Sequence, residues 1–259
     1  MILDRRSFME GVPMLTMAGM SAQGAAPKKS QYYVMEQFFM ENGPQPGRFH
    51  EFCSKGLVPA LERLEKMPAL VMEAVMAPHM PQAALIIAGE SYEQLKGVAA
   101  RLHADKQFKQ AHDAWESGEP PYQNSNAWFL EATQYSPEFK PLEKPLAAPR
   151  YFELRVYHSP TWRQLALLHE RFAGPEIKIF HRAGVHPILY STTMFGPDRP
   201  SLTYVIPFDS LAAREKAWAA FGADPEWAKV RKESIDKGGQ ISLRIQISIY
   251  RAMPYSPIR

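Results

Sequence analysis

The chain has 259 residues, 46% hydrophobic and 22% charged, enough to bury one large core or two ordinary ones. A formal net charge of +3 without any cluster of Lys or Arg argues against nucleic acid as a partner. The single cysteine, Cys53, excludes an intramolecular disulfide; beside Phe49 and Phe52 on an apolar helical face it reads as a buried core thiol.

Residues 1–26 read as an export signal. Arg5-Arg6-Ser7-Phe8-Met9 has the twin-arginine pattern, residues 11–22 are mildly apolar but too short to span a bilayer, and Gly24-Ala25-Ala26 supplies the small residues a signal peptidase accepts. The mature protein is then extracytoplasmic, periplasmic in a bacterium, with no transmembrane segment. The plainer reading is a disordered basic N-terminus.

A first unit follows over 31–135. Residues 32–40 (YYVMEQFFM) alternate and predict a strand. Asn42-Gly43-Pro44 and Pro46-Gly47 form a turn cluster. Phe49, Phe52, Cys53, Leu57, Leu61 and Leu64 then recur at helical period, with Gly56 and Pro59 placed to kink the helix. Strands at 71–77 and 83–89, helices from Ser91 onward and a strand at 126–135 complete the unit.

Residues 136–150 (SPEFKPLEKPLAAPR) read as a proline-rich linker. A second unit, 151–253, repeats the order of the first: a strand at 151–158, a helix broken at Gly174-Pro175, strands at 187–194 and 202–208, two helices and a strand at 241–250. Ser210 caps the first of those two helices, Gly222 ends it, and Pro225 sits in the first turn of the next. A gapless shift of 119 positions lays Ser91 on Ser210, Asp105 on Asp224 and Phe108 on Trp227. Each unit is β-α-β-β-α-β, the ferredoxin-like split motif, so the fold class is α+β. Helices cover one face of each sheet; the other face needs a second sheet, which predicts a barrel closed within one chain or between two.

The second unit opens on Tyr151-Phe152-Glu153-Leu154-Arg155-Val156-Tyr157 and runs on through His181-Arg182-Ala183-Gly184 to Phe208-Asp209-Ser210-Leu211 and Ala223-Asp224-Pro225-Glu226-Trp227. That wording resembles the NIPSNAP family, of the dimeric α/β-barrel superfamily with tandem ferredoxin-like repeats. The resemblance implies the fold and an oligomer. It brings no agreed catalytic motif.

The strand faces carry whatever chemistry there is. In 241–250, Ile241, Leu243, Ile245, Ile247 and Ile249 form one face, expected under the helices; Ser242, Arg244, Gln246, Ser248 and Tyr250 form the other. In 151–157, Phe152, Leu154 and Val156 oppose Tyr151, Glu153, Arg155 and Tyr157. Since these strands neighbour each other in the motif, Arg155, Arg244, Tyr157, Gln246, Tyr250 and Glu153 are expected on one surface turned toward the partner sheet. Arginines there either bind a carboxylate or phosphate ligand, or pair with Glu153 and other carboxylates to fix the packing. The eight histidines show no metal-ligand spacing, and GxSxG, CxxC and Gly-rich phosphate loops are absent. The residues suit a non-catalytic anion-binding or scaffold protein; the resemblance to the superfamily adds a monooxygenase- or isomerase-type enzyme and a haem-handling protein as alternatives, with no histidine singled out as the haem ligand.

Overall fold

Alternation along eight short strands sets the architecture. The computed structural model describes residues 31–259 except 145 and 147, so the export-signal stretch lies outside the described residues. The strands are β1 (Tyr32–Phe39), β2 (Ala69–Met76), β3 (Gln82–Gly89), β4 (Asn124–Ala132), β5 (Tyr151–His158), β6 (Leu189–Phe195), β7 (Ser201–Phe208) and β8 (Arg244–Ala252). They form a closed barrel in the order β1-β3-β2-β8-β5-β7-β6-β4, with β4 returning to β1. Within each half the order is that of the ferredoxin-like motif. The second strand of each half pairs with the fourth strand of the other, β2 with β8 and β6 with β4. The barrel therefore closes within one chain, and closure leaves no sheet edge bare.

Three cores result. Tyr33, Met35, Leu70, Met72, Ile86, Trp128, Leu130, Phe152, Leu154, Val205 and Tyr250 meet inside the barrel. The outer face of the first half packs Phe38, Leu85 and Ile87 under helices that carry Phe49, Phe52, Leu95, Phe108 and Trp115. The outer face of the second half packs Tyr157, Leu202, Tyr204 and Ile206 under helices that carry Leu165, Leu168, Phe180 and Phe221.

The duplication holds in detail. In the first half α1 (Pro44–Phe52) runs into a π turn at Cys53–Leu57, then α2 (Val58–Ala60) and a second π turn. In the second half α5 (Trp162–Arg171) runs into a π turn at Phe172–Glu176, 119 positions on, and then α6 (Ile177–Ala183). Gly174 leaves helical geometry there, at φ −86° and ψ −116°, just before Pro175, which the helix interior would otherwise exclude. The paired helices are α3 (Tyr92–Ala104) with α4 (Lys106–Glu116), and α7 (Leu211–Gly222) with α8 (Pro225–Gly238). Ser91 and Ser210 accept hydrogen bonds from the amides of Gln94 and Ala213, and Asp105 and Asp224 cap the second helix of each pair.

The halves also exchange tails. Tyr135-Ser136-Pro137 follows β4 and Tyr255-Ser256-Pro257 follows β8. The Tyr135 hydroxyl lies 2.7 Å from His169 Nδ1 in the second half, and the Tyr255 hydroxyl 2.7 Å from His50 Nδ1 in the first. Ser136 Oγ accepts from the Tyr190 amide and Ser256 Oγ from the Val71 amide, so each serine satisfies a strand of the opposite half. Phe139 and Ile258 then turn into the barrel core. The residues read from sequence as the start of a spacer are thus part of the core.

Two expectations about faces need correction. Leu243, Ile245 and Ile247 do not lie under helices but are exposed, because α5 and α7 pack over β7 rather than over β8. In β5 the apolar side chains Phe152 and Leu154 point into the barrel, so Glu153, Arg155 and Tyr157 point outward beneath the helices. Both sides of a closed barrel bury surface here, and the alternation alone does not say which is which.

Phe139 is fully buried in the barrel core although it sits outside regular structure. Phe139→Ala is expected to lower the unfolding free energy by about 3–5 kcal/mol in urea titrations. Leu142→Ala, at a position 45% exposed in the same stretch, should change it by less than about 0.5 kcal/mol.

Candidate functional site

The layer between the outer face of the second half and its helices holds a continuous polar cluster. Glu153, on β5, is fully buried. Its Oε2 accepts from Arg214 Nε on α7 at 2.5 Å and from Trp218 Nε1 at 2.9 Å, while its Oε1 lies 2.7 Å from Arg155 Nε. Arg155 donates to the Tyr157 hydroxyl at 2.8 Å and reaches the Tyr204 hydroxyl at 3.5 Å. Its guanidinium carbon stands 4.0 Å from the centre of the Trp218 ring, where the negative ring face stabilises a cation. One turn of the π segment away, Arg171 Nε donates to Glu176 Oε2 at 2.7 Å and its guanidinium lies over Trp227. Three arginines therefore share this layer with two buried carboxylates, leaving a net positive charge.

Titration in the layer follows from burial. Glu176 is buried, and burial pushes its carboxyl up to about 7 against the opposing pull of Arg171 and Arg155. Burial holds His169 down to about 4, so it is neutral; its nitrogens engage the hydroxyls of Tyr135 and Thr192. The hydroxyls of Tyr157 and Tyr204 are raised by burial, which keeps them protonated donors. The Tyr190 hydroxyl, buried beside Glu176 and Tyr135, has no hydrogen-bond partner among the described residues. A buried hydroxyl left in that state is unfavourable by about 1–3 kcal/mol.

The other half of the molecule shows that the fold does not require this chemistry. Strand registers align the two halves residue by residue: Arg155 pairs with Tyr204 as Glu36 pairs with Leu85, and Tyr190 pairs with Tyr204 as Val71 pairs with Leu85. At the positions of Glu153, Tyr157, Arg171, Glu176, Tyr190, Tyr204 and Arg214 the first half has Val34, Phe38, Phe52, Leu57, Val71, Leu85 and Leu95. All seven counterparts are buried and apolar. At the position of Arg155 the first half has Glu36, also fully buried, so the same backbone supports a largely apolar layer around one carboxylate on one side and a cluster of charges on the other.

Of the six residues singled out from sequence, Glu153, Arg155 and Tyr157 come together in this cluster. Arg244, Gln246 and Tyr250 do not, because they take the inward positions of β8. Arg244 pairs with Asp198 in the β6–β7 loop, and Gln246 donates to the same carboxylate at 2.8 Å. Tyr250 is buried in the barrel, where its hydroxyl accepts from Gln37 at 2.9 Å and from Gln82. The expected single surface is therefore two sites on opposite sides of one sheet. Sequence reading also missed Arg171, Glu176, Tyr190, Tyr204 and Arg214. A position-by-position comparison of the two repeats would have exposed them, as polar residues facing apolar ones.

Within the cluster His169 has both nitrogens engaged, which leaves neither free for a haem iron, and His181 and His186 stack on each other. Among the described residues no three His, Cys, Asp or Glu side chains are grouped to hold a metal ion, and no helix is long and apolar enough to cross a membrane.

Residues 152–257 match the model of the NIPSNAP family. A comparison with curated protein sequences gives no match. Among solved structures, a candidate monooxygenase from Fusobacterium nucleatum subsp. nucleatum aligns over 86% of this chain and 92% of its own, with 10% identity and a TM-score of 0.56. Chlorite dismutase from Candidatus Nitrospira defluvii aligns over 87% and 92%, with 10% identity and a TM-score of 0.51. An uncharacterized NIPSNAP-like domain protein from Burkholderia xenovorans shares 25% identity over 42% of this chain and 89% of its own, with a TM-score of 0.36. The two long alignments establish the dimeric α/β-barrel fold.

Glu176 gives the layer a pH signature. An acid whose folded value is raised from 4.5 to about 7 contributes stability below 4.5 that is lost as pH rises through 7. Urea titrations at about pH 5 and about pH 8 should show wild type losing on the order of 1–3 kcal/mol more than Glu176→Gln. Equal losses in the two proteins would contradict the assignment.

Proposed function

We propose that this chain, whose second half carries a NIPSNAP domain, is an exported binding protein for a small carboxylate or phosphate, held in the arginine–tyrosine layer of that half. The observation that carries the reading is the contrast between halves: seven polar residues stand where the same fold is served by apolar ones. Arg155 and Arg214 keep 12% and 24% of their side chains accessible, so an anion can approach along the side of α7. Guanidinium forks and tyrosine hydroxyls suit carboxylate and phosphate oxygens. Export is inferred from Arg5-Arg6 and the apolar run after it, and a homo-oligomer from the barrel family.

A second reading makes the layer a proton-transfer site for a small substrate, in an enzyme of the monooxygenase or isomerase kind. It is favoured by Glu176, whose carboxyl is poised near neutrality beside the Tyr190 hydroxyl, which has no hydrogen-bond partner among the described residues.

A thermal-shift series with benzoate, short dicarboxylates and inorganic phosphate separates these outcomes from a purely structural role. A ligand at about 100 times its Kd adds about 2.7 kcal/mol to the folded state, a rise of several degrees. The rise is expected in wild type and lost in Arg214→Ala. No rise with any anion, or the same rise in the variant, would end the binding reading. For export, Arg5→Lys/Arg6→Lys should retain the protein in the cytoplasm on fractionation of the producing cells; unchanged release would remove that part of the proposal.

A further inference from the structure

We propose that the outer face of β8 is the surface on which a second copy of this chain docks. The proposal deepens the oligomer reading above by naming the surface. Leu243, Ile245 and Ile247 project from that face at 61%, 46% and 40% exposure. On the adjoining strand Val75 and Met76 are 42% and 66% exposed, with Met76 paired to Ile249.

The repeat again supplies the control. Ile247 pairs with Arg155 as Ala127 pairs with Glu36, and Ile245 with Tyr157 as Ser125 with Phe38. The Leu243 amide donates to His158 O at 2.8 Å, as the Gln123 amide donates to Phe39 O at 2.8 Å. Thus Gln123, Ser125 and Ala127 occupy in the first half the places of Leu243, Ile245 and Ile247 in the second. In the first half this face carries polar or small side chains, with Gln123 exposed and Ser125 and Ala127 half-buried. Three large aliphatic ones in the same register answer to something outside the chain.

The size of the stripe points to a copy of itself. Its five residues expose roughly 400–500 Å² of apolar surface, the size of the largest patch on a typical monomer (about 300–600 Å²), which is often an interaction site. With a polar rim this approaches the ~800 Å² per partner of a standard interface. None of the five carries a charge, so the stripe offers no electrostatic code to select a different partner. An apolar strip pairs with itself across a twofold axis in an isologous contact. Such a contact also borders the arginine layer, since Ile247 and Ile245 are the strand partners of Arg155 and Tyr157.

The test uses the full chain and the first half's own residues. Sedimentation equilibrium should show a dimer for wild type, and a dissociation constant at least tenfold weaker for Leu243→Gln/Ile245→Ser/Ile247→Ala. Because these positions are exposed, the variant should keep the wild-type circular dichroism spectrum. In a second arm, Ile245→Cys should form a covalent dimer under mild oxidation and Ser125→Cys should not; the native Cys53 is buried and common to both. A wild type that is monomeric at every concentration overturns the surface and the self-association reading together. An oligomer that survives the triple variant and leaves Ile245→Cys uncrosslinked overturns this surface alone.

Discussion

Closure of the barrel is the constraint from which the rest follows. Neither half completes its own sheet: β2 needs β8, and β6 needs β4. Neither half completes its own helical layer either. Tyr135 and Tyr255 cross to the histidines of the opposite half, and Ser136 and Ser256 to opposite strands. The halves are thereby locked together in a pseudo-twofold arrangement, with the inner faces filling one shared core. What remains are two helical layers with the same backbone geometry, and only one of them has to be purely a core.

The first layer is such a core. Phe38, Phe49, Phe52, Phe108 and Trp115 pack edge to face and in stacks, an arrangement that adds about 0.5–1.5 kcal/mol per pair beyond area burial. The second layer keeps an aromatic frame, with Phe172, Phe180, Tyr204, Trp218 and Phe221 in mutual contact, but sets charges into it. Burying Glu153 and Glu176 is unfavourable unless each is paired, and each is held by arginine. Buried ion pairs seldom stabilise more than well-packed apolar side chains of similar size would. The first layer offers that alternative at the positions of Glu153, Tyr157, Arg171, Glu176, Tyr190, Tyr204 and Arg214, and keeps a buried carboxylate, Glu36, at that of Arg155.

Much of the fold was legible in the sequence because helix caps, breaks and strand alternation are local. Ser210, Gly222 and Pro225 bound α7 and the start of α8 where local chemistry places them. The kink at Gly174-Pro175 was legible too, although its π geometry was not. The site was only half legible. Alternation divides β5 and β8 into two sets of side chains, but the inward side of this barrel and its helix-covered side are both buried. The apolar set of β5 went inward while that of β8 went outward. Only the register of the pair, Val156 with Gln246 and Arg155 with Ile247, settles it. The exchanged tails were hidden for a different reason: Phe139 is held in the core by contacts across the chain, not by any regular element of its own.

The central claim is that the charged layer is dispensable for folding and present for a ligand. Its most direct test is the triple variant Glu153→Val/Arg155→Met/Arg214→Leu, which replaces the three charges joined through Glu153 by apolar side chains. Urea unfolding of this variant should yield a stability equal to wild type or higher by about 1–4 kcal/mol, with no thermal response to any small anion. A loss of about 3–5 kcal/mol or more, with anion response of the wild type absent from the start, would show the network to be structural and contradict the account.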